Sequence, residues 1–97
     1  MGAANLIVLA GQDNVGVALR DIAEGEEART REGVALEAHE AIPQGHKIAL
    51  SDIAASEVIL RFGVPVAVAT SPIGRGRLVH VHNVASRYLN NDEDHYE

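Results

Sequence analysis

The residues best suited to chemistry lie near the end of the chain, in His80-Val81-His82-Asn83. In an extended strand, side chains two apart share a face, so His80 and His82 are expected side by side while Val79 and Val81 turn away. Two neutral imidazoles followed by an amide can bind a metal, an oxyanion or a proton in transit. His80 and His82 are therefore the candidates for proton transfer or metal ligation, and Asn83 the candidate for orienting a hydroxyl. A second group follows Gly45. There Lys47 can meet a carboxylate as a point charge, with His46 beside it. The pleat sends His46 and Lys47 to opposite faces, so one of the two is expected to point into a site. The plainer readings are a strand-capping imidazole beside an exposed one, and a solvated lysine at a strand edge. His39, His95, Arg75 and Arg77 read as surface residues, and Gly74-Arg75-Gly76 as a turn. No Gly-x-Gly-x-x-Gly, phosphate-binding loop, nucleophile elbow or cysteine metal motif occurs.

The elements that position these groups must come from a small chain. Its 97 residues suit one domain near the lower limit for a self-sufficient core. Phe62, Tyr88 and Tyr96 are its only aromatics, so Val, Ile, Leu and Ala must fill the interior. A partner surface would help such a core. The absence of cysteine excludes disulfides and thiolate metal sites. A net charge of −6 argues against a basic face for nucleic acid. No apolar run approaches the roughly 20 residues that cross a bilayer, so a cytoplasmic protein without membrane contact is expected.

Along the chain, residues 1–4 read as a flexible start, residues 5–85 as the folded domain, and residues 86–97 as a polar, mobile tail. Strands are expected at Leu6–Ala10, from Val15 to Ile22, at Gly33–Ala38, His46–Leu50 and Glu57–Phe62, and over Arg77–Val84. Glu24–Glu27 reads as a solvated turn, and Pro65–Thr70 fits a strand or one helical turn. A repeat runs through these elements. Asp21-Ile22-Ala23 returns 31 positions later as Asp52-Ile53-Ala54, and Ile42-Pro43-Gln44-Gly45 returns at the same offset as Ile73-Gly74-Arg75-Gly76. Each unit carries two Ile-x-x-(Gly or Ser) turns, in which a buried Ile precedes a residue tolerant of positive φ. Two such units imply a pseudo-twofold, all-β structure. Asp21 and Asp52, beside those turns, are expected to accept hydrogen bonds from turn amides.

Four stretches also carry a resemblance: Gly45-His46-Lys47-Ile48-Ala49-Leu50-Ser51-Asp52-Ile53, Arg61-Phe62-Gly63-Val64-Pro65, Ile73 to Gly76, and His80-Val81-His82-Asn83. Together they resemble the altronate and galactarate dehydratase family, and within it the small N-terminal SAF domain. The resemblance covers about residues 5–84, and Asp13-Asn14-Val15 fits its opening. Gly-His-Lys and His-x-His-Asn at this separation carry the match; either alone is weak. Ala55-Ser56 departs from the pattern, standing where a glycine turn is usual.

The resemblance implies an SAF-like β-clip fold and a role as small subunit or N-terminal domain of a sugar-acid hydro-lyase. The active site would be held mainly by a larger lyase chain; on their residue types, His80 and His82 are the catalytic candidates within it, and Lys47, His46 and Asn83 the substrate-binding ones. It also implies a divalent metal ion, such as iron or manganese, held mainly by that larger chain. Other members act on sulfolactate or further 2-hydroxy acids. A non-catalytic carbohydrate-acid-binding or assembly module, with room for a homo-oligomer, is the alternative from a different class. Two candidate histidines and no clear carboxylate pair argue against a complete dehydratase in 97 residues.

Overall fold

The fold is laid out by four isoleucines. In the computed structural model, which describes residues 3–86, Ile22 and Ile42 exchange both backbone hydrogen bonds, at 2.9 and 2.8 Å, as an isolated antiparallel bridge. Ile53 and Ile73 do the same at 2.8 Å each. All four side chains are buried. Each bridge closes one half of the molecule, and the halves follow the 31-residue offset of the sequence.

Around the bridges the described residues form nine strands and no helix. They are β1 (Leu6–Ile7), β2 (Val15–Ala18), β3 (Glu27–Arg29), β4 (Ala35–Glu37), β5 (Lys47–Ala49), β6 (Val58–Arg61), β7 (Val64–Ala69), β8 (Leu78–Val79) and β9 (Val84–Ser86). A central antiparallel sheet runs β1-β2-β5-β8, flanked by a β3–β4 hairpin and a β6-β7-β9 sheet. The all-β expectation holds, and no helix among the described residues is long and apolar enough to cross a membrane.

Register assigns the two faces of the central sheet to two cores. Ile48 pairs with Gly16 and Leu78, and Leu6 with Ala18. These residues face the first core, built with Ile22, Ala28, Leu36, Ala38 and Ile42. Val15 pairs with Ala49, and Lys47 with Val17 and Val79. That face meets the second core, of Ile53, Ile59, Ala67, Ala69 and Ile73. Burial of branched aliphatic side chains at about 1.5–3 kcal/mol each is the main stabilising term in both.

The repeat is written in hydrogen bonds as well as in sequence. Gly25 N–H donates to Ala38 O, and Ser56 N–H to Ala69 O, both at 2.7 Å. Gly45 N–H donates to Ala18 O as Gly76 N–H donates to Ala49 O, both at 2.9 Å. Asp21 Oδ1 accepts from Gln44 N–H at 2.8 Å, and Asp52 Oδ1 from Arg75 N–H at 2.9 Å, as expected of carboxylates beside turns. Ser56 fills the glycine post with φ 74°, so the turn keeps its shape without glycine.

Several boundaries differ from the sequence reading. The longest difference is Arg77–Val84, expected as one strand. β8 stops at Val79, residues 80–83 form a turn, and β9 begins at Val84. The strand expected from Val15 to Ile22 ends at Ala18, since Ile22 pairs with Ile42 instead. β1 is shorter than Leu6–Ala10 because the Ala10–Asp13 turn intervenes, Asp13 N–H donating to Ala10 O. Glu27 belongs to β3, a strand hidden by its charged ends, with only Ala28 buried. Of Pro65–Thr70, all but Thr70 lies in β7, where Val66 makes a bulge opposite Ile59 and Leu60. Expectations for residues 1, 2 and 87–97 lie outside the described residues.

Candidate functional site

The structure brings His80 to His46, not to His82. Lys47 pairs with Val79 and Ile48 with Leu78, so the next positions outward on the two strands are His46 and His80. Their rings lie 4.7 Å apart, centroid to centroid, tilted at 57°. His46 follows Gly45, whose φ of 83° turns the chain into β5. His46 Nδ1 lies 3.4 Å from Gln44 O. His46 is half-buried and His80 exposed, so one ring lies against the fold and the other meets solvent.

Asn83 explains why the strand breaks. Its Oδ1 accepts from His80 N–H at 2.9 Å, and its Nδ2 donates to Leu78 O at 2.9 Å. Asn83 N–H donates to His80 O at 3.0 Å, closing a four-residue turn. An asparagine side chain that bonds its own backbone competes with strand pairing. Asn83 is buried at 8% exposure. Its amide holds His80 in place; the expectation that it reaches toward a substrate hydroxyl meets a side chain already engaged on the backbone at both ends. His82 is exposed within the turn, next to exposed Val81, so the expected shared strand face of His80 and His82 does not form.

Lys47 emerges on the other face of β5, with Val17 and Val79 as its direct partners. It is half-buried, and burial, then repulsion from Arg61, hold its ammonium below the usual lysine range. The expected division between His46 and Lys47 is present: consecutive residues at one end of the central sheet, on opposite faces.

Two side-chain clamps not evident in the sequence tie the flanking strands to the central sheet. Asn14 donates to Val58 O and accepts from Leu60 N–H, pinning β6. Asn5 does the same for β3, donating to Glu27 O and accepting from Arg29 N–H. The clamped residues obey the 31-residue offset, but Asn5 and Asn14 are only nine apart in the chain, so no repeat search finds them. Asp13 grips the β6–β7 turn: its carboxylate accepts from Phe62 and Gly63 N–H, each at 2.7 Å, and from Ala10 N–H at 3.1 Å. Burial alone would raise its pKa; the hydrogen bonds from Gly63, Phe62, Ala10 and Leu9 outweigh that and hold the carboxyl below its ordinary value.

A metal site needs at least three well-placed ligands. Among the described residues no three His, Asp or Glu side chains converge in that way. The imidazole pair supplies two donors at most, so these residues do not fit a self-contained metal centre.

Comparison with known proteins agrees with this architecture. Residues 4–87 match the family described as altronate/galactarate dehydratase SAF domain. The chain is 44% identical over 72 residues to altronate dehydratase of Bacillus subtilis (strain 168), which covers 74% of this chain and 14% of that protein. It is 35% identical over 85 residues to altronate dehydratase of Escherichia coli (strain K12), covering 88% of this chain and 17% of that one. It is also 39% identical over 51 residues to (2R)-sulfolactate sulfo-lyase subunit alpha of Chromohalobacter salexigens, covering 53% of this chain and 54% of that subunit. This chain thus spans about one-sixth of the two altronate dehydratases. With a match that takes in nearly every described residue, the chain belongs to the altronate/galactarate dehydratase SAF domain family.

Proposed function

We propose that this chain is the small domain or subunit of a sugar-acid hydro-lyase and contributes the His46–His80 end of its central sheet to an active site held mainly by a larger lyase chain. The observation that carries the reading is the imidazole pair, 4.7 Å apart and fixed by the Asn83 turn, in a chain matching only 14% and 17% of two altronate dehydratases. The relative named subunit alpha of a lyase adds support for a separate larger partner.

Dehydration of a 2,3-dihydroxy acid removes a proton α to the carboxylate and protonates the departing β-hydroxyl. An imidazole in contact with a second imidazole can give or take such a proton near neutral pH. His80, exposed, reaches the reacting atoms, and His46 behind it shares or relays the proton. His82 flanks this edge, and Lys47, around the edge of β5, draws in the acid's carboxylate. Asn83 positions His80. A divalent metal would supply stabilisation of the enediolate; the described residues of this chain assemble no site for it, and this reading places its ligands mainly on the larger chain.

The test is co-expression with a larger lyase chain, followed by altronate and galactarate dehydration with and without the 97-residue chain. Turnover requiring both chains is the expected result. Full activity from the larger chain alone would refute the proposal.

A further inference from the structure

We infer that the tip of the β6–β7 hairpin, with Phe62 as its anchor, is the surface that docks the larger lyase chain. The inference rests on the partner proposed above and adds where that partner is held. Phe62 is the chain's one phenylalanine. Among the described residues neither core contains an aromatic ring, yet this ring is 65% exposed. Val64, just across the turn and opposite Arg61, is 45% exposed. A small domain that leaves its largest apolar side chain in water has a surface shaped for something else.

The tip is also built to hold that ring still. Phe62 and Gly63 have φ of 61° and 72°, a two-residue turn with both central residues left-handed. Asparagine or glycine suits the first of those positions; phenylalanine is strained there. The buried Asp13 carboxylate keeps the turn by accepting from both amides at 2.7 Å. The Ala10–Asp13 turn packs against it as well, since a Cβ at Gly63 would lie 3.3 Å from Gln12 Nε2. Backbone strain and a buried anion are costs that the lone domain does not recover; burying a preorganised aromatic in a partner's pocket offsets them.

The larger chain is the occupant that fits. This chain matches 14% and 17% of the two altronate dehydratases, so a much larger body accompanies the domain in them. β9 runs antiparallel to β7, Val84 opposite Ala69 and Ser86 opposite Ala67, and thus heads for the tip, ending about 10 Å short of Val64. The family match ends at residue 87. In a relative whose chain continues past the match, the further body departs on the side of the tip. Charge agrees. The stretch from Val58 to Asn91 carries four arginines and no carboxylate, in a chain with 14 acidic residues. Arg61, exposed beside Phe62, is the cation at the tip. An aromatic with an arginine and no acid is the composition of an interface centre, and it calls for an apolar pocket rimmed by Asp or Glu. A symmetric pair of tips would instead set arginine against arginine.

The tip is separate from the imidazole pair. Thr70, past the far end of β7, donates its N–H to Asn83 O in the turn that holds His80, about 20 Å from the tip. Docking and turnover can therefore be measured apart. The test is isothermal titration of the full 97-residue chain into the larger lyase chain, with kcat read at saturation. Phe62→Asn removes the ring while easing the backbone, so folding stability holds or rises. Its Kd is expected to rise at least about tenfold with kcat unchanged, Phe62→Tyr to bind like wild type, and Arg61→Glu to weaken binding most at low salt. Affinities within about twofold of wild type in both Phe62→Asn and Arg61→Glu would overturn the docking surface. So would a chain that sediments alone as a dimer and becomes a monomer in Phe62→Asn, since the ring's partner is then a second copy. Dehydration that needs this chain while association ignores Phe62 refutes the docking surface alone. Association that needs Phe62 between chains whose dehydration does not need this domain refutes the proposed function alone.

Discussion

Asn83 and Asp13 are small polar residues whose side chains are spent on backbone amides, and their loss should be felt locally. Asn83→Ala leaves His80 N–H and Leu78 O without their partner. A cost of about 1–3 kcal/mol is expected, readable in urea denaturation, together with broadened or shifted His80 ring signals. Asp13 is a test by pH. Its folded-state pKa is depressed, so its contribution is complete above the ordinary value of 3.8 and fades as pH falls through the lower folded value. Wild-type stability should therefore decline below about pH 4, and Asp13→Asn should be less stable at neutral pH and flatter in that acid range. Equal acid slopes for the two proteins would contradict the assignment. At this scale the sequence was legible where a residue sits beside its partner turn, as with Asp21 and Asp52. It was not legible where the partner comes from afar: Asp13 meets Phe62 and Gly63, and Asn14 meets Val58 and Leu60, across nearly half the chain. Nor does alternation at Val79–Val84 reveal that Asn83 folds back on Leu78 and His80.

Among the elements, the two glycine turns offer a controlled comparison, because the repeat makes them equivalent while their surroundings differ. Gly45 and Gly76 have φ of 83° and 87°. A Cβ at Gly45 meets nothing within 4 Å, whereas one at Gly76 would lie 2.5 Å from Glu37 O and 2.6 Å from His39 Cδ2. Gly45→Ala should cost only the left-handed backbone, about 1–2 kcal/mol. Gly76→Ala should cost more, since it must also push the β4 segment away, where His39 N–H donates to Gly76 O at 2.9 Å. Parallel urea melts check this order, and a larger loss at Gly45 would contradict it. Ser56, in the left-handed region at φ 74°, gives the reverse test: Ser56→Gly should leave stability unchanged or raise it by up to about 1 kcal/mol. The repeat itself was readable because buried isoleucines and positive-φ turns leave sequence marks at fixed spacing. β3 was not, because a three-residue strand with one buried alanine has no period to detect.

For the molecule as a whole, one sheet lies between two aliphatic cores, and neither core has walls without it. Ile22→Ala and Ile53→Ala, one in each core, should each lower a single shared unfolding transition by about 2–5 kcal/mol. Two separate transitions would show that the halves are independent. The same shared sheet delivers His46 from the end of the first repeat and His80 from the end of the second, so the imidazole pair depends on the doubled architecture. The measurement that bears most directly on this account is the turnover of the two-chain dehydratase carrying His46→Gln, His80→Gln or both. A fall in kcat of about 10²–10⁴ in His80→Gln, with the double variant little worse than the single, is the predicted result. Turnover within twofold of wild type in all three variants, with the chains still associated, would contradict it.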